Sequence, residues 1–226
     1  MAAAFAIEQG GPVLAPFGAG VAVFVMAGAV TDIAERTLVL RLPFRAALRR
    51  AIGLPRSAWG TAFAHFGLGV TLLGIVAATA WGSERIAEMK VGDNLEITHY
   101  RLTFSGLFSR QGSNYRDMVG RFIVRRMNGD LIGVMEPSRR SFPTRNMTTT
   151  QAALMTRGVS QLYLSLGDPM QNGNVAVRLY FKPQVLLIWL GAAIMFAGGA
   201  LSLSDRRLRV GAPQPAKTKM ALRPAG

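Results

Sequence analysis

The chain has 226 residues, half of them apolar, with a formal net charge of +14 and no cysteine. The lack of cysteine excludes disulfides and thiolate metal sites formed within this chain. A strongly basic chain can bind nucleic acid, but here the basic residues cluster in short segments beside apolar ones. This placement argues against nucleic-acid binding.

Three windows of 21 residues contain no Asp, Glu, Lys or Arg: 11–31, 61–81 and 184–204. About 20 helical residues span a bilayer core, whereas buried helices of soluble proteins are usually shorter and carry a polar face. The windows therefore predict three transmembrane helices. Small residues at packing intervals, such as Gly198 and Ser202, suit spans that pack against other helices. No cleavable signal peptide is expected, because the start lacks a basic region and the first window is too long.

The flanks of these windows predict the topology. Residues 1–10 contain no Lys or Arg, whereas residues 32–60 include RTLVLRLPFRAALRRAIGLPR with six arginines, and residues 205–226 carry six more basic residues. Short flanks rich in Lys and Arg stay in the cytoplasm. We therefore expect residues 32–60 and 205–226 inside, and residues 1–10 and 82–183 outside.

The second window contains a histidine, His65, in the stretch WGTAFAHFGLGVTLLGI. A polar ring in hydrocarbon is costly without a partner. Ala62 and Gly69 share its helical face, and such small residues would leave a recess beside the ring. A porphyrin would fit there with the imidazole bound to iron. A hydrogen bond to a neighbouring helix explains the residue equally well.

The other histidine of the chain, His99, falls in the outer segment. About 24 Å of helix separates His65 from the outer surface, so His99 is not expected to reach the same iron. A heme with two histidine ligands would need the second one from elsewhere. We interpret His99 as structural.

Residues 82–183 are predicted to form an antiparallel β domain, either a small sheet or an open barrel of about five strands. LEITHYRLTF alternates like a single strand, and Asn128-Gly129 between two apolar runs predicts a hairpin. QLYLSLG and NVAVRLYFK predict two further strands, and TTTQAALMTRG a short helix.

The outer segment shows no nucleotide-binding, zinc or serine-triad pattern, but its PSRRSFPTR stretch is basic. We read this stretch as a loop that brings Arg139, Arg140 and Arg145 together. Guanidinium groups suit carboxylates and phosphates, so the loop would contact a partner or a heme propionate. A solvated loop with weak surface ion pairs is the alternative.

Four blocks resemble, in order, the C-terminal part of the CcmF/NrfE family of cytochrome c heme lyase subunits. They are SAWGTAFAHFGLGVTLLGI, MKVGDNLEITHYRLTF, MTTTQAALMTRGVSQLYLSLGD and VAVRLYFKPQVLLIWLGAAIMFAGGALSLSDRR. The resemblance implies a protein of the bacterial inner membrane, with residues 82–183 in the periplasm, that helps attach heme to apocytochrome c. It also implies that His65 is an axial ligand of a membrane b heme.

The family's tryptophan-rich segment, its two external histidines and its other membrane histidine have no counterpart in this chain. The resemblance therefore implies part of a heme lyase that is not competent alone. Its partners would be an N-terminal lyase portion with the second axial histidine, the heme chaperone CcmE, a CcmH-type protein and apocytochrome c.

Two other functions are considered. One is a non-catalytic docking or assembly protein of the same maturation complex that binds no heme itself. The other is a piece of a transporter, which the lack of broken helices and of paired acidic residues in the spans disfavours.

Overall fold

The computed structural model describes residues 12–170 and 174–205. Within this part the chain forms four α-helices: α1 (Ala15–Thr37), α2 (Phe44–Gly53), α3 (Arg56–Ala80) and α4 (Leu186–Leu203). Helices α1, α3 and α4 are long and apolar enough to cross a membrane, which agrees with the three predicted spans.

Helix α3 lies between α1 and α4, and glycines bring the backbones together. A Cβ on Gly60 would lie 2.6 Å from the carbonyl oxygen of Gly198, and a Cβ on Gly67 would lie 2.6 Å from that of Gly191. Gly74 approaches Ile188 in the same way. These α3 glycines are seven residues apart, so they fall on one stripe of the helix. Close backbone packing replaces the hydrophobic driving force that lipid does not supply.

The α3–α4 contact continues at the helix ends. The Asp205 carboxylate, just after α4, accepts a hydrogen bond from the Ser57 backbone N–H at 3.0 Å. A carboxylate at the N-terminus of α3 satisfies a backbone donor that has no partner within the helix and complements the helix dipole.

Between α3 and α4 the described residues form ten strands, all paired antiparallel. Their bounds are β1 (Ser83–Met89), β2 (Asn94–Ile97), β3 (Tyr100–Gln111), β4 (Arg116–Arg126), β5 (Leu131–Met135), β6 (Ser138–Phe142), β7 (Met147–Gln151), β8 (Ala153–Arg157), β9 (Ser160–Pro169) and β10 (Val175–Lys182).

The strands form two sheets, in the orders β1-β10-β9-β8 and β2-β3-β4-β6-β7, with β5 paired to β4 beside β6. The core between the sheets contains Phe104 and Phe122, whose rings stack with centroids 4.9 Å apart. Leu162, Leu164 and Leu179 contribute from the other sheet. The result is a β-sandwich, which refines the predicted small sheet or open barrel and doubles the expected strand number.

Some local predictions are confirmed. Asn128-Gly129 connects β4 to β5, with Gly129 at φ +94° as this turn requires. The alternating NVAVRLYFK segment forms β10, in which Val175, Val177 and Leu179 are buried.

Two local predictions are wrong. LEITHYRLTF is a hairpin rather than one strand, because the chain reverses at Thr98-His99 with Thr98 at φ 49°. The TTTQAALMTRG segment, predicted as a short helix, lies in β7 and β8 and in the turn after β8. The sheet edges of β6 and β9 offer backbone hydrogen-bond partners to this segment, and this tertiary pairing overrides a weak helix propensity.

The β domain is fixed directly to the helices. Ser83, two residues after Trp81, pairs with Phe181 near the end of β10. The Leu186 backbone N–H at the start of α4 donates to the Val159 carbonyl in the β8–β9 turn at 3.1 Å. The β8–β9 turn therefore lies at the helix end of the domain.

Candidate functional site

His65 lies in the N-terminal half of α3, on the side that faces α1. Its Nδ1 lies 2.9 Å from the Thr61 carbonyl oxygen, one turn earlier. Because a carbonyl can only accept, Nδ1 carries the hydrogen and donates it. This tautomer leaves a lone pair on Nε2, the arrangement that metal-binding histidines use when a backbone carbonyl holds the other nitrogen.

The His65 side chain lines an open cleft of about 410 Å³ between α1 and α3. Small residues form much of its wall: Gly28 and Ala29 on α1, and the buried Ala62 on α3. A second hollow of about 330 Å³ shares Ala29 and Ala62 with the cleft, and the rest of its lining is apolar: Val30, Ile33, Trp59, Phe63 and Phe66. Small residues beside a free imidazole nitrogen, with an apolar surface next to them, fit a flat apolar ring system.

The predicted role of Gly69 needs correction. A Cβ at Gly69 would lie 2.5 Å from the Met26 side chain and 2.8 Å from the Ala22 carbonyl oxygen of α1. The surface beside Gly69 is therefore already covered by α1, and this glycine serves helix packing. The open space on the histidine face lies at Ala62, together with Gly28 of the neighbouring helix.

An ion pair at the rim of the cleft was missed by sequence reasoning. Asp32 and Arg36 of α1 line the cleft, and the Arg36 Nε donates to Asp32 at 2.9 Å. Both residues follow the predicted end of the first span at Thr31, so they were assigned to a cytoplasmic loop. Their i, i+4 spacing was a signal that the helix continues.

The predicted basic loop is instead a strand followed by a short turn. Arg139 and Arg140 belong to β6, and Arg145 ends a 3₁₀ turn over Pro143–Arg145. The Arg145 side chain lies outside the described residues. Neighbours along a strand point to opposite faces, so Arg139 and Arg140 do not form one cluster.

Arg140 is partly buried and paired within the domain. Its Nε and Nη2 donate to the two carboxylate oxygens of Asp117 at 2.9 and 3.0 Å, and its guanidinium stacks 3.8 Å from the Tyr115 ring centre. The hydrogen bond to Asp117 raises the pKa of Arg140 above its ordinary value. Arg139 pairs with the exposed Asp168 at 2.6 Å.

His99 lies in the turn between β2 and β3, and its side chain is exposed. The β domain begins after the C-terminal end of α3, about 24 Å along the helix from His65. The two histidines are therefore at different sites. Among the described residues, no group of three or more His, Cys, Asp or Glu could hold a metal ion.

Sequence comparison places the β domain in a known family. Residues 80–183 match the CcmF C-terminal beta-sandwich. The chain is 58% identical to the cytochrome c-type biogenesis protein CycK of Bradyrhizobium diazoefficiens over all of its length. It is 34% identical to the cytochrome c-type biogenesis protein CcmF of Pseudomonas aeruginosa over 84% of the present chain. The alignments cover 34% and 29% of these two relatives, so the chain spans about a third of their length.

A solved structure supports the same assignment at the level of the fold. The chain is similar to a cytochrome c heme lyase CcmF with a TM-score of 0.67, over 90% of this chain and 32% of that one, at 17% identity. The likeness covers the helices as well as the sandwich, because the sandwich alone is less than half of the chain. The chain belongs to the CcmF family of cytochrome c-type biogenesis proteins and corresponds to the C-terminal part of its members.

Proposed function

We propose that the chain is the C-terminal portion of a heme lyase subunit for c-type cytochromes and that His65 is one axial ligand of a b heme in the membrane. The observation that carries this proposal is the hydrogen bond from His65 Nδ1 to the Thr61 carbonyl. It supports a tautomer with a free Nε2 beside a cleft walled by small residues.

The surroundings of His65 fit a porphyrin that rests on one face of this chain. His65 is exposed on the described chain, so a ring bound there would be covered on its other side by a further part of the lyase. That part would supply the second axial ligand. A heme with two histidine ligands needs this, because His65 is the one histidine in the helices of this chain. Bound heme supplies one-electron chemistry; this chain would hold and orient it.

The proposed orientation follows from the charges. Residues 32–60 would face the cytoplasm, and the β-sandwich would lie in the periplasm, where apocytochrome c, CcmE and a CcmH-type partner meet the lyase. Reporter fusions at Gly112 and Ala216 should then report opposite sides of the inner membrane. Reports from the same side would contradict this topology.

The proposed contact with a partner or a heme propionate now concerns Arg139 and Arg145. Arg140 is already neutralised by Asp117 within the sheet, so we assign it a structural role. Arg139 could exchange the exposed Asp168 for an anionic group of a partner at little cost, because exposed ion pairs contribute little to stability.

The ligand role is tested by the visible spectrum of the lyase purified from membranes. His65→Ala should lose or weaken the b-heme spectrum, and added imidazole should restore part of it by filling the vacant axial position. His99→Ala is the matched control and should leave the spectrum unchanged. An unchanged spectrum in His65→Ala would favour the docking protein that binds no heme itself.

A further inference from the structure

The short helix α2 carries an apolar stripe that the rest of the described chain does not cover. Phe44, Leu48 and Ile52 are spaced by four residues and therefore lie on one side of the helix. Phe44 is 75% and Ile52 77% exposed, whereas Ala47 is buried. The helix thus has one face docked on the protein and one apolar face turned away from it.

The position of α2 brings this apolar face to the membrane surface. Only Leu54 and Pro55 separate α2 from the spanning helix α3, and residues 38–43 connect it to the spanning helix α1. The Trp59 indole N–H of α3 donates to the Ala51 carbonyl of α2 at 3.0 Å. The helix is therefore fixed at the bilayer edge and cannot move far into the aqueous phase.

The charges around α2 are of one sign. Residues 38–56 contain five arginines and no acidic residue. In the part of the chain that the structure describes, no ion pair engages any of these arginines: Arg41, Arg45, Arg49, Arg50 and Arg56. On the helix, Arg45 and Arg49 flank the apolar stripe on its polar side. Arginine side chains in this position place their stems along apolar surface and their guanidinium groups at phosphate level.

We propose that α2 is an interfacial helix that binds anionic phospholipid of the membrane that α1 and α3 cross. Phe44, Leu48 and Ile52 insert at the boundary between acyl chains and headgroups, and Arg45 and Arg49 bind the headgroup phosphates. An apolar stripe beside arginines, without acidic residues, is the pattern of helices that lie in the plane of an anionic interface. This inference rests on the spanning helices and does not depend on heme binding.

The first test measures where the apolar stripe lies. This chain contains no cysteine, so a nitroxide label can be placed at Ile52→Cys and, as a control, at Gly53→Cys. A Cβ at Gly53 would meet no heavy atom within 4 Å, and this position lies on the polar side. With the intact protein in vesicles containing phosphatidylglycerol, the label at 52 should collide mainly with oxygen and the label at 53 mainly with a water-soluble nickel chelate.

The second test measures lipid selectivity. Spin-labelled phosphatidylglycerol should associate with the intact protein severalfold more than spin-labelled phosphatidylcholine. The double variant Arg45→Gln/Arg49→Gln should lose most of this preference. Lys217→Gln/Lys219→Gln removes the same charge from the tail and should keep it.

Four results would overturn the proposal. A label at 52 that is shielded from both oxygen and the nickel chelate would mean that protein covers the stripe. A label at 52 that is open to the chelate would place the stripe in water. Equal association of the two lipids, or equal loss of preference in the arginine and lysine variants, would exclude specific phosphate binding at α2.

Discussion

Gly69, one turn after His65 on α3, and Gly28 on α1 differ in what surrounds them. A Cβ at Gly69 would lie 2.5 Å from the Met26 side chain and 2.8 Å from the Ala22 carbonyl oxygen. A Cβ at Gly28 would meet no heavy atom within 4 Å, although Gly28 lines the cleft beside His65. Gly69→Leu should therefore overpack the α1–α3 contact and destabilise the protein by about 1–3 kcal/mol. Gly28→Leu should leave the melting temperature unchanged but lower the heme bound per protein.

These two glycine variants are compared by thermal unfolding in detergent and by the ratio of heme to protein. Full heme occupancy in Gly28→Leu would show that the porphyrin does not bind in this cleft. A normal melting temperature in Gly69→Leu would mean that α1 and α3 pack less tightly than the distances imply.

The two adjacent arginines of β6 also predict different outcomes. Arg140 holds the carboxylate of Asp117, which is 2% exposed, whereas the Asp168 carboxylate that pairs with Arg139 is 80% exposed. Arg140→Gln would leave a buried carboxylate without its cation, which is costly. We expect it to lower the melting temperature and to increase cleavage of the β domain by protease.

Arg139→Gln is the matched control, with the same substitution one residue away. It should melt like the wild type, because an exposed pair contributes little. If Arg139 contacts a partner, this variant should still reduce cytochrome c maturation. The hydrogen bond to Asp117 raises the pKa of Arg140. The stability that the Arg140–Asp117 pair contributes is therefore complete below the ordinary pKa of arginine and is not lost at neutral pH. Equal melting of both variants would contradict the structural role of Arg140.

At the scale of elements, the α3–α4 contact depends on its glycine stripe. A Cβ on Gly67 would lie 2.6 Å from the Gly191 carbonyl and 2.8 Å from the Met195 nitrogen, both backbone atoms that cannot move aside. Gly67→Leu should push the helices apart and lower the amount of folded protein in the membrane. Gly199→Leu, at a position with no heavy atom within 4 Å, should be tolerated. The check is membrane abundance together with thermal unfolding, and similar values for both variants would contradict close packing.

The elements that could be predicted from the sequence are those with a strong local signal. The spans could be predicted because their windows contain no charged residue. The Asn128-Gly129 hairpin could be predicted because its turn needs residues that accept positive φ. The Thr98-His99 turn lacked such a signal, since its positive φ falls on Thr98, and β-branched residues rarely adopt a left-handed backbone. Strands β6 and β7 were missed because they are short, polar and largely outside the core, so no alternation marks them.

The candidate site was predictable only in part for a related reason. His65 and Ala62 could be placed on one face because they belong to the same helix. Gly28 and Asp32 complete the cleft from α1, and their contact with α3 depends on how two helices pack. A single sequence carries no direct signal for that packing, and for this reason Gly69 was assigned to the recess although α1 covers it.

At the scale of the whole molecule, the helices leave much apolar surface uncovered. Only 11% of the apolar window in α4 and 17% of that in α1 are buried in the described chain, and Trp189 and Phe196 are largely exposed. Lipid can cover these faces, but the chain is also about a third of the length of its relatives. The exposed His65 fits the proposal that another part of a lyase covers this face.

The final prediction concerns how the heme is ligated when this chain is alone. The chain has two histidines. His99 lies beyond the C-terminal end of α3, far from the cleft beside His65. One imidazole gives only half of a bis-histidine ligation, so the chain expressed alone should bind heme weakly and in a high-spin form. Co-expression with the N-terminal portion of a related lyase should produce tight, low-spin, six-coordinate heme. The absorbance and electron paramagnetic resonance spectra distinguish these states. Low-spin heme on the chain alone would show that its second ligand is internal, and His99→Ala would then identify or exclude that residue.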